Sequence, residues 1–474
     1  MRTAISIALL VLAPALFPGE RPNVLFIAVD DLNDWIEPLG GHPQARTPHL
    51  ARLARRSTLF AKAYTAAPAC NPSRAALMTG IAPFKSGVYN NNQAWRPAMR
   101  EAVTLPQAFM SNGYWAGGAG KIYHGVYPDP PSWNEFWPSK TLQREADPKP
   151  AALPANGIPG TGNFDWGALD DDVAEMSDFK VARWVADKLR QRHDKPFFLA
   201  CGIFRPHLPW HVPRNYLDRF PAASVRLPTV FNGDLSDVPA AGLRMARPER
   251  DHARVVEHGQ WAGAVRSYLA SVNFADDMIG MVLDALDESG YADSTVVVLW
   301  GDHGWHLGEK HHWRKFALWE EATRVPLLIA APPGTPGLPE GTRSGAVSPR
   351  PVNLLDIYPT LLELAGLEPQ PGLDGRSLVP LLRNPELPWQ PAVTTHGRLN
   401  HAVRSDDFRY IRYADGTEEL YDHRVDPMEW TNLAGDELYA AAKRKLSRWL
   451  PETNAPEAPV QPSDRRTNEV ALPD

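Results

Sequence analysis

Cysteine is scarce in this chain: its 474 residues include only Cys70 and Cys201. Two cysteines allow one disulfide at most, so the fold cannot depend on a disulfide framework and must rest on a buried core. An excess of positive charge is also missing, because 49 lysines and arginines stand against 55 acidic residues, a formal net charge of -6. We therefore discount nucleic-acid binding, which needs a basic surface.

Long apolar runs are likewise missing after the first few residues. The run from Ala4 to Leu16 follows Arg2. It is too short to span a bilayer and has the length of the apolar part of a secretory signal peptide. The alternatives are a retained anchor or a buried strand. We predict that residues 1–19 are a signal peptide, that the protein is exported to the periplasm or secreted, and that no membrane span remains after cleavage.

Proline is abundant, with 47 residues, roughly twice the usual share. Proline collects in ordered loops, and two proline-rich stretches, about 125–165 and 204–258, interrupt an otherwise regular pattern. Elsewhere continuous apolar runs alternate with helical periodicity, which predicts an α/β domain with a large, mostly parallel sheet flanked by helices. The predicted strands are 23–29, 196–203, 294–300 and 325–330. The predicted helices cover 50–60, which leads towards a second strand, and 72–80, 170–192, 263–288 and 352–365.

The pattern changes from about residue 371. Short strands are predicted over 402–404, 408–413 and 419–422, with Asp415-Gly416 as a hairpin turn, and a helix over 436–450. We predict a main domain over 20–370, a small C-terminal α+β subdomain with an antiparallel sheet over 371–455, and a loose tail over 456–474.

Carboxylates follow two of the predicted strands, as Asp30-Asp31 and as Asp302 before His303. In sheets of this kind the chemistry gathers at the carboxyl ends of the strands. Where a strand gives way to a loop, two adjacent carboxylates can serve one centre, and with Asp302 they would suit Ca²⁺ or Mg²⁺. For Asp30-Asp31 alone, a helix cap or a solvated loop is the simpler interpretation.

Cys70 stands just before a predicted helix, in the segment CNPSRAALMTG of residues 70–80. The positive end of that helix and the guanidinium of Arg74 would favour an anion here. From these residues alone, a small buried side chain or half of a Cys70–Cys201 disulfide explains the cysteine equally well.

The segment resembles the signature of the formylglycine-dependent (type I) sulfatases, in which Cys-x-Pro-Ser-Arg is followed by x-x-Leu-x-Thr-Gly. Every signature position is filled in residues 70–80. The Asp-Asp pair, the segment GKIYH of residues 120–124 and the later Asp-His pair occur in that family's order, so the resemblance runs from about residue 21 to 432. The chain looks most similar to the iduronate-2-sulfatase type. The resemblance implies an alkaline-phosphatase-like sulfatase fold and hydrolysis of sulfate monoesters, on a sulfated carbohydrate.

The resemblance also implies a role for each matching residue. Cys70 would be oxidised to Cα-formylglycine by a formylglycine-generating or other maturation enzyme. It would share a divalent cation, Ca²⁺ rather than Mg²⁺, with Asp30, Asp31, Asp302 and His303. Flanking the nucleophile would be Arg74, Lys121 and His124, the last as a base. Facing the sulfate and its leaving oxygen would be His207, as the acid, and Lys315.

Two positions depart from the commonest sulfatase pattern. His303 stands where many sulfatases have Asn, and nitrogen is an unusual ligand for a hard cation. His303 therefore either binds the cation, as the iduronate type suggests, or lies behind the ligands. The spacing from Lys121 to His124 is one residue longer than in arylsulfatases and again fits the iduronate type.

Other residues carry weaker signals. The histidines at 306, 311 and 312 are interleaved with charged residues, which favours a charged loop over a zinc site. Contacts with substrate are conceivable, but not assigned, for Asp34, Trp35, His396 and Arg398.

Two further functions stay open: hydrolysis of phosphonate or phosphate esters on the same fold, and binding of sulfated glycans without catalysis. A shared fold and motif do not identify the sugar.

Overall fold

The computed structural model describes residues 21–460, so the predicted signal peptide and residues 461–474 lie outside the described residues. The strands are β1 (Asn23–Val29), β2 (Thr58–Tyr64), β3 (Trp115–Gly120), β4 (Glu135–Trp137), β5 (Trp166–Leu169), β6 (Phe197–Ile203), β7 (Trp210–Pro213), β8 (Thr295–Gly301), β9 (His306–Leu307), β10 (Trp313–Arg314), β11 (Arg324–Val325), β12 (Leu327–Ala330), β13 (Ala346–Asn353), β14 (Ala392–Thr395), β15 (His401–Arg404), β16 (Phe408–Arg412) and β17 (Glu418–Asp422).

The α-helices in this range are α1 (Pro48–Ala54), α2 (Cys70–Thr79), α3 (Pro83–Ser86), α4 (Trp95–Ala98), α5 (Leu105–Ser111), α6 (Ser177–Leu189), α7 (Arg214–Asp218), α8 (Ala240–Ala246), α9 (Asp251–Glu257), α10 (Trp261–Glu288), α11 (Glu320–Thr323), α12 (Ile357–Leu364), α13 (Val379–Arg383) and α14 (Ala440–Ser447). Within residues 21–460, none of the helices combines the length and the apolar character that crossing a membrane requires.

A mixed sheet of nine strands forms the centre of the fold, in the order β11-β2-β12-β8-β1-β6-β3-β4, with β13 paired to β2. The run β8-β1-β6-β3-β4 is parallel throughout. β12 is antiparallel to both β8 and β2. The predicted α/β fold with a mostly parallel sheet is confirmed.

Alternate residues of β1 enter two separate cores, because successive side chains of a strand point to opposite faces. On one face Leu25, Ile27 and Val29 pack in a core that α10, α6 and α1 cover. On the other, Val24, Phe26 and Ala28 pack in a core that includes residues of α2, α5, α12 and α13. The continuous apolar run that predicted a strand buried on both faces is explained by this arrangement.

The sequence pattern did not predict β3, β4 and β13 of the central sheet, and it joined β11 and β12 into one strand. β13 contains Pro349 and Pro351, which cannot donate to a ladder, yet it pairs in parallel with β2 through a register shift between Ser348 and Pro351. Residues 325–330 form two strands rather than one, because Pro326 separates β11 from β12. The predicted helix over 352–365 therefore begins later, at α12.

The proline-rich stretches differ in content. Residues 125–165 are irregular apart from a 3₁₀ turn and β4, which adds an edge strand beside β3. Residues 204–258 hold β7 and the short helices α7, α8 and α9, which the sequence did not predict. Short helices of five to seven residues carry too few periodic positions to stand out among prolines.

The C-terminal subdomain is the antiparallel meander β14-β15-β16-β17 with α14, and Gly416 of the predicted hairpin turn has a φ of 84°. Its predicted start at residue 371 is too early. α13 places Leu381 and Leu382 in the same core as α12, so the division between the two parts falls between α13 and β14.

The prediction of a loose tail from residue 456 is wrong up to residue 460. Ala458 is buried, and its backbone N–H donates to the carbonyl of Gly87 at 2.8 Å. The Nε2 of Gln93 donates to the carbonyl of Ala458 at 2.9 Å. These contacts use the backbone of the tail, which a polar, proline-rich composition does not reveal.

Candidate active site

Four neighbouring parallel strands, in the order β8-β1-β6-β3, end at the same edge of the sheet. Chemistry-bearing residues follow each of them: Asp302-His303, Asp30-Asp31, residues 204–207 and Lys121. The carboxyl ends of parallel strands are where α/β folds place their sites. The strand-end positions picked out in the sequence therefore converge on one place.

The turn after β1 brings two successive carboxylates to one side. Asp31 has a φ of 57°, a left-handed conformation that reverses the alternation of the strand. The hydroxyl of Tyr268 donates to the carbonyl of Asp31 at 2.8 Å and accepts from the N–H of Asn33 at 3.0 Å. The N–H of Asp31 donates to Oδ1 of Asp302 at 3.0 Å.

Cys70 is the first residue of α2 and is fully buried. Around its Sγ lie Lys315 Nζ at 3.1 Å, His303 Nε2 at 3.3 Å, Lys121 Nζ at 3.7 Å and Asp31 Oδ1 at 3.9 Å. Burial raises the pKa of the Cys70 thiol well above its usual value, although the two lysines oppose the shift. A thiol held neutral in this way is a poor nucleophile.

The disulfide alternative is wrong. Cys70 and Cys201 are both free thiols, and Cys201 is a buried residue of β6. Cys201 packs in the core between the sheet and α10. Its role is therefore that of a small apolar side chain.

The guanidinium of Arg74 joins the carboxylates to the chain after β3. Its Nε donates to Asp302 Oδ2 at 2.8 Å and its Nη2 to Asp30 Oδ1 at 3.1 Å. Its Nη1 donates to the carbonyls of Lys121 and Ile122. These bonds occupy four of the five N–H donors of an arginine. Arg74 thus holds the two carboxylates in place, rather than binding an anion as its position in the motif suggested.

Two lysines supply the positive charge next to Cys70. Lys315 Nζ lies 2.9 Å from Asp31 Oδ1, and Lys121 Nζ pairs with Asp30 Oδ2. Burial alone would lower the pKa of Lys121, but the carboxylate of Asp30 raises it. Burial alone would raise the pKa of Asp30, but Lys121 and other cations hold it well below its usual value. Both groups are therefore charged at neutral pH.

His303 presents a ring nitrogen to the same centre. Its Nδ1 lies 3.0 Å from the carbonyl of Gly304, which assigns the proton to Nδ1 and leaves the lone pair on Nε2. That Nε2 lies 3.3 Å from Asp31 Oδ1 and 3.6 Å from Asp302 Oδ2. Burial lowers the pKa of His303, so the ring is neutral and its lone pair is available.

The arrangement fits a divalent cation. The side chains of Asp30, Asp31, Cys70 and His303 offer ligand atoms that all lie within 4.8 Å of one another. Oδ2 of Asp31 is buried and has no hydrogen-bond partner among residues 21–460. A buried carboxylate oxygen without a partner is costly, and a hard cation would satisfy it.

Asp302, the other predicted ligand, is more fully engaged. Its Oδ1 accepts from the backbone N–H groups of Asp31 and His303 at 3.0 and 3.1 Å, while its Oδ2 accepts from Arg74. The hydroxyl of Ser73 donates to its carbonyl at 2.6 Å. In this structure Asp302 joins α2 and the chain after β1 to the end of β8.

His207 lies at the edge of the centre, with Nε2 3.9 Å from Asp31 Oδ2. Its Nδ1 donates to the carbonyl of Leu208 at 2.6 Å, which fixes the ring. The turn that carries it is held by Asp178, whose carboxylate accepts from the N–H groups of Phe204 and Arg205 at 2.7 and 2.9 Å.

His124 is half-buried, three residues beyond Lys121. Its ring lies against the ring of Tyr127, with centroids 5.9 Å apart, and its carbonyl accepts from Nε2 of Gln143 at 3.0 Å. The same glutamine accepts from the N–H groups of Ile122 and Tyr123 with its Oε1. Gln143 therefore orders the whole turn from 121 to 124.

Some site residues went unnoticed in the sequence. Tyr268 fits the apolar stripe of α10 and looked like a core residue. Asp178 lies in the first turn of α6, where acidic residues are common. Among the described residues, the groups that could hold a metal ion do not include His306, His311 or His312.

The chain is similar in sequence to several known proteins. A sequence profile of the sulfatase family matches residues 22–367, and a profile of the C-terminal part of N-sulphoglucosamine sulphohydrolase matches residues 308–455. A protein of Formosa agariphila named sulfatase is 40% identical over 454 residues, covering 92% of this chain and 87% of that protein. Human iduronate 2-sulfatase is 30% identical over 388 residues, and the match covers 74% of this chain and 70% of that protein.

A solved structure described as bound to its substrate, D-glucosamine-2-N,6-O-disulfate, is similar in fold. The TM-score is 0.72 at 21% sequence identity, and the match covers 90% of this chain and 96% of that one. At this identity the likeness bears on the fold alone.

Proposed function

Because this chain belongs to the sulfatase family and is a sulfuric ester hydrolase with the alkaline-phosphatase-like fold, we propose that formylglycine made from Cys70 is its nucleophile. The substrate is a sulfate monoester of a carbohydrate. One observation carries the proposal: Sγ of Cys70 is buried between the ammonium groups of Lys121 and Lys315, yet burial keeps the thiol neutral. The surroundings suit an anionic oxygen, and the thiol is unsuited to act there itself.

Ca²⁺ is the proposed cation, held by Asp30, Asp31, Asp302, His303 and residue 70. The unpartnered Oδ2 of Asp31 and the free lone pair of His303 support it. When bound, the cation would supply positive charge against the oxygens of the sulfate group. Formylglycine, as its hydrate, would supply two hydroxyls on one carbon, one to attack sulfur and one to lose its proton when sulfate is released.

The remaining steps belong to side chains of this chain. In the mature protein an oxygen would stand near the place of Sγ, where Lys121 and Lys315 stabilise its negative charge and that of the sulfate oxygens. His207, at the edge of the centre, gives a proton to the departing sugar oxygen. His124 takes the proton that must leave before sulfate is expelled. Arg74 keeps the carboxylates of Asp30 and Asp302 in place through its hydrogen bonds.

We also propose how the protein is exported and matured. Residues 1–19 direct export to the periplasm or outside, and a maturation enzyme oxidises Cys70. The segment that such an enzyme would read includes residues 70–80, which become α2, and Cys70 is buried once the chain has folded. Oxidation must therefore precede the closing of this core.

Mass spectrometry and kinetics on one preparation test the proposal. Protein made in a host that forms formylglycine should carry an aldehyde at residue 70 and hydrolyse a sulfated sugar. Cys70→Ala should lower kcat about 1,000-fold or more, because no other group can replace the nucleophile. Cys201→Ala, which changes the other buried cysteine, should keep both the aldehyde and the activity.

Three results would contradict the proposal. Activity in a preparation that has an unmodified thiol at residue 70 would rule out formylglycine as the nucleophile. A strong preference for phosphonate or phosphate esters over sulfate esters, measured side by side, would assign another substrate. Binding of sulfated sugars without turnover, by protein with a confirmed aldehyde, would show a binding protein.

A further inference from the structure

A cavity lies beside the Cys70 site and is not used by the chemistry above. Phe316, the neighbour of Lys315, forms part of its wall. Asn90 forms another part, and its carbonyl accepts a hydrogen bond at 2.9 Å from Nδ2 of Asn71, the neighbour of Cys70. On one side, Phe316 follows Lys315, whose ammonium group contacts Sγ of Cys70. On the other side, Asn90 is hydrogen-bonded to Asn71, which follows Cys70.

Arginines dominate the charge of this cavity. Of the residues that line it in the described part of the chain, three are arginines and one is a carboxylate: Arg247, Arg250, Arg314 and Asp251. Asp251 pairs with Nε of Arg314. Burial and the positive charge of Arg250 both lower the pKa of Arg247, whose Nε donates to the carbonyl of Arg244 at 3.1 Å. Two guanidinium charges are left without a matching anion in the wall.

His396 is an independent sign that something binds here. Its side chain lines the cavity and is only 2% exposed. Neither of its ring nitrogens has a hydrogen-bond partner among residues 21–460. A buried polar group without a partner destabilises the fold. Burial lowers the pKa of His396 to about 4, so at neutral pH the ring has one N–H to donate.

The ring of His396 packs beside the ring of Phe316, the residue that follows Lys315, and the two ring centroids lie 6.1 Å apart. The backbone around it is fixed, since its N–H donates to the carbonyl of Asn400 at 3.0 Å. An oxyanion in the cavity would accept from the N–H of His396 and from the guanidinium groups, which match oxyanion geometry.

We propose that this cavity binds a second anionic group of the substrate, a carboxylate or a further sulfate, while the scissile sulfate lies at Cys70. The inference rests on the proposed sulfatase function and narrows it: the preferred substrate is a sugar that carries at least two anionic groups. A neutral sugar with one sulfate would leave two guanidinium charges and the ring of His396 unused.

Kinetics on three matched substrates test this selectivity: a monosulfated neutral sugar, a sulfated uronate and a disulfated sugar. Arg247→Ala and Arg250→Ala should each lower kcat/KM at least about 10-fold for a doubly anionic substrate, equivalent to one lost charge-assisted hydrogen bond. For the monosulfated sugar the change should stay within about 3-fold. His396→Phe keeps a flat ring, removes both nitrogens, and should reproduce the selective loss.

Arg244→Ala is the matched control. Arg244 lies on α8 near Arg247, is exposed, and pairs with Asp415 at 3.5 Å instead of lining the cavity. It should leave all three rates unchanged. Selective loss on the uronate identifies the second group as a carboxylate, and selective loss on the disulfated sugar identifies it as sulfate. Equal losses on all three substrates, or no loss on any, would overturn the proposal.

Binding without turnover separates this inference from the function it rests on. Calorimetry with Cys70→Ala protein should detect the doubly anionic sugar, and adding Arg247→Ala should weaken its binding at least about 10-fold. If wild-type protein with a confirmed aldehyde hydrolyses no sulfate ester, the proposed function fails. The cavity assignment still stands if the doubly anionic sugar binds and needs Arg247, and falls if binding does not respond to that change.

Discussion

A single residue, Asp31, shows how local backbone geometry creates the site. Its left-handed conformation is one that aspartate tolerates better than most residues with a side chain. The conformation turns its carboxylate toward Lys315 and His303, while the preceding Asp30 faces Lys121. Hydrogen bonds from Tyr268 and to Asp302 hold the turn. Two adjacent carboxylates can therefore serve one centre.

Tyr268→Phe tests that role. The change leaves the carbonyl of Asp31 and the N–H of Asn33 without their partner, and we expect a loss of about 1–3 kcal/mol in unfolding free energy. Because the turn orients Asp31, we also expect the Ca²⁺ concentration for half-maximal activity to rise about 10-fold. Urea unfolding and a Ca²⁺ titration measure the two effects.

Tyr358→Phe separates orientation from stability. The hydroxyl of Tyr358 donates to the carbonyl of Val103 at 3.1 Å, on the other face of the sheet. This variant should be similarly destabilised with an unchanged Ca²⁺ requirement. The role assigned to Tyr268 is wrong if its variant also keeps the wild-type requirement.

At the scale of elements, α10 supplies the cap that α1 lacks. No side chain caps the first turn of α1 from its own N-cap residue. Instead, Asp276 of α10 accepts from the N–H groups of His49 and Leu50 at 3.0 and 2.8 Å. Burial raises the pKa of Asp276 to about 7, against the effect of those two donors. The two helices are joined by a carboxyl group that titrates near neutrality.

Asp276→Asn should change how stability depends on pH. Between about pH 4 and 7 the unfolded wild-type chain releases a proton that the folded chain keeps, so its stability falls as pH rises and levels off above 7. Each unit of pKa shift corresponds to roughly 1.4 kcal/mol. The asparagine variant has no such titration. The free energy of unfolding of the wild type, measured in urea, should therefore fall relative to that of the variant as pH rises across this range.

Asp284→Asn is the control on the same helix. Asp284 is half-exposed and pairs with Arg52 at the surface, where ion pairs contribute little. Its effect on the free energy of unfolding should stay within about 1 kcal/mol. Parallel stability curves for the wild type and Asp276→Asn would show that Asp276 does not titrate in this range.

At the scale of the whole molecule, a buried ion network fastens the C-terminal sheet to the main domain. Glu320 of α11 pairs with Arg404 of β15 at 3.3 Å and with Arg409 of β16, and accepts from the hydroxyl of Tyr64 at 2.8 Å. Glu429 completes the network by pairing with Arg409. The same arginines hold the pKa of Glu320 well below its usual value, although burial opposes them.

Glu320→Gln should loosen this junction. Two buried arginines would lose their shared partner charge, and we expect a loss of about 3 kcal/mol or more at pH 7. A carboxyl with a lowered pKa stabilises the fold above its unfolded pKa and loses that effect as pH falls through its folded value. The difference between wild type and variant should therefore shrink in acid, as measured by urea unfolding from pH 7 to 3.

Glu386→Gln provides the comparison, because Glu386 forms an exposed pair with Arg350 at 3.2 Å. Its effect should be within about 1 kcal/mol. A loss for Glu320→Gln no larger than this, at every pH, would mean that the network does not hold the two parts together.

Features that depend on adjacent residues could be predicted before the structure was known. The apolar run of β1, the stripe of α10, the hairpin at Asp415-Gly416 and the motif of residues 70–80 all follow from short-range patterns, because strand and helix periods are local. The order of those motifs along the chain also indicated the family and the place of the site.

Which side chains meet across the chain could be seen only once the elements were packed together. Arg74 and Asp302 are 228 positions apart, and Tyr268 and Asp31 are 237 apart, so no local period relates them. The same holds for the cavity of Arg247 and His396. Such pairings depend on how the elements pack, since each contact joins groups that are neighbours only after the sheet has formed.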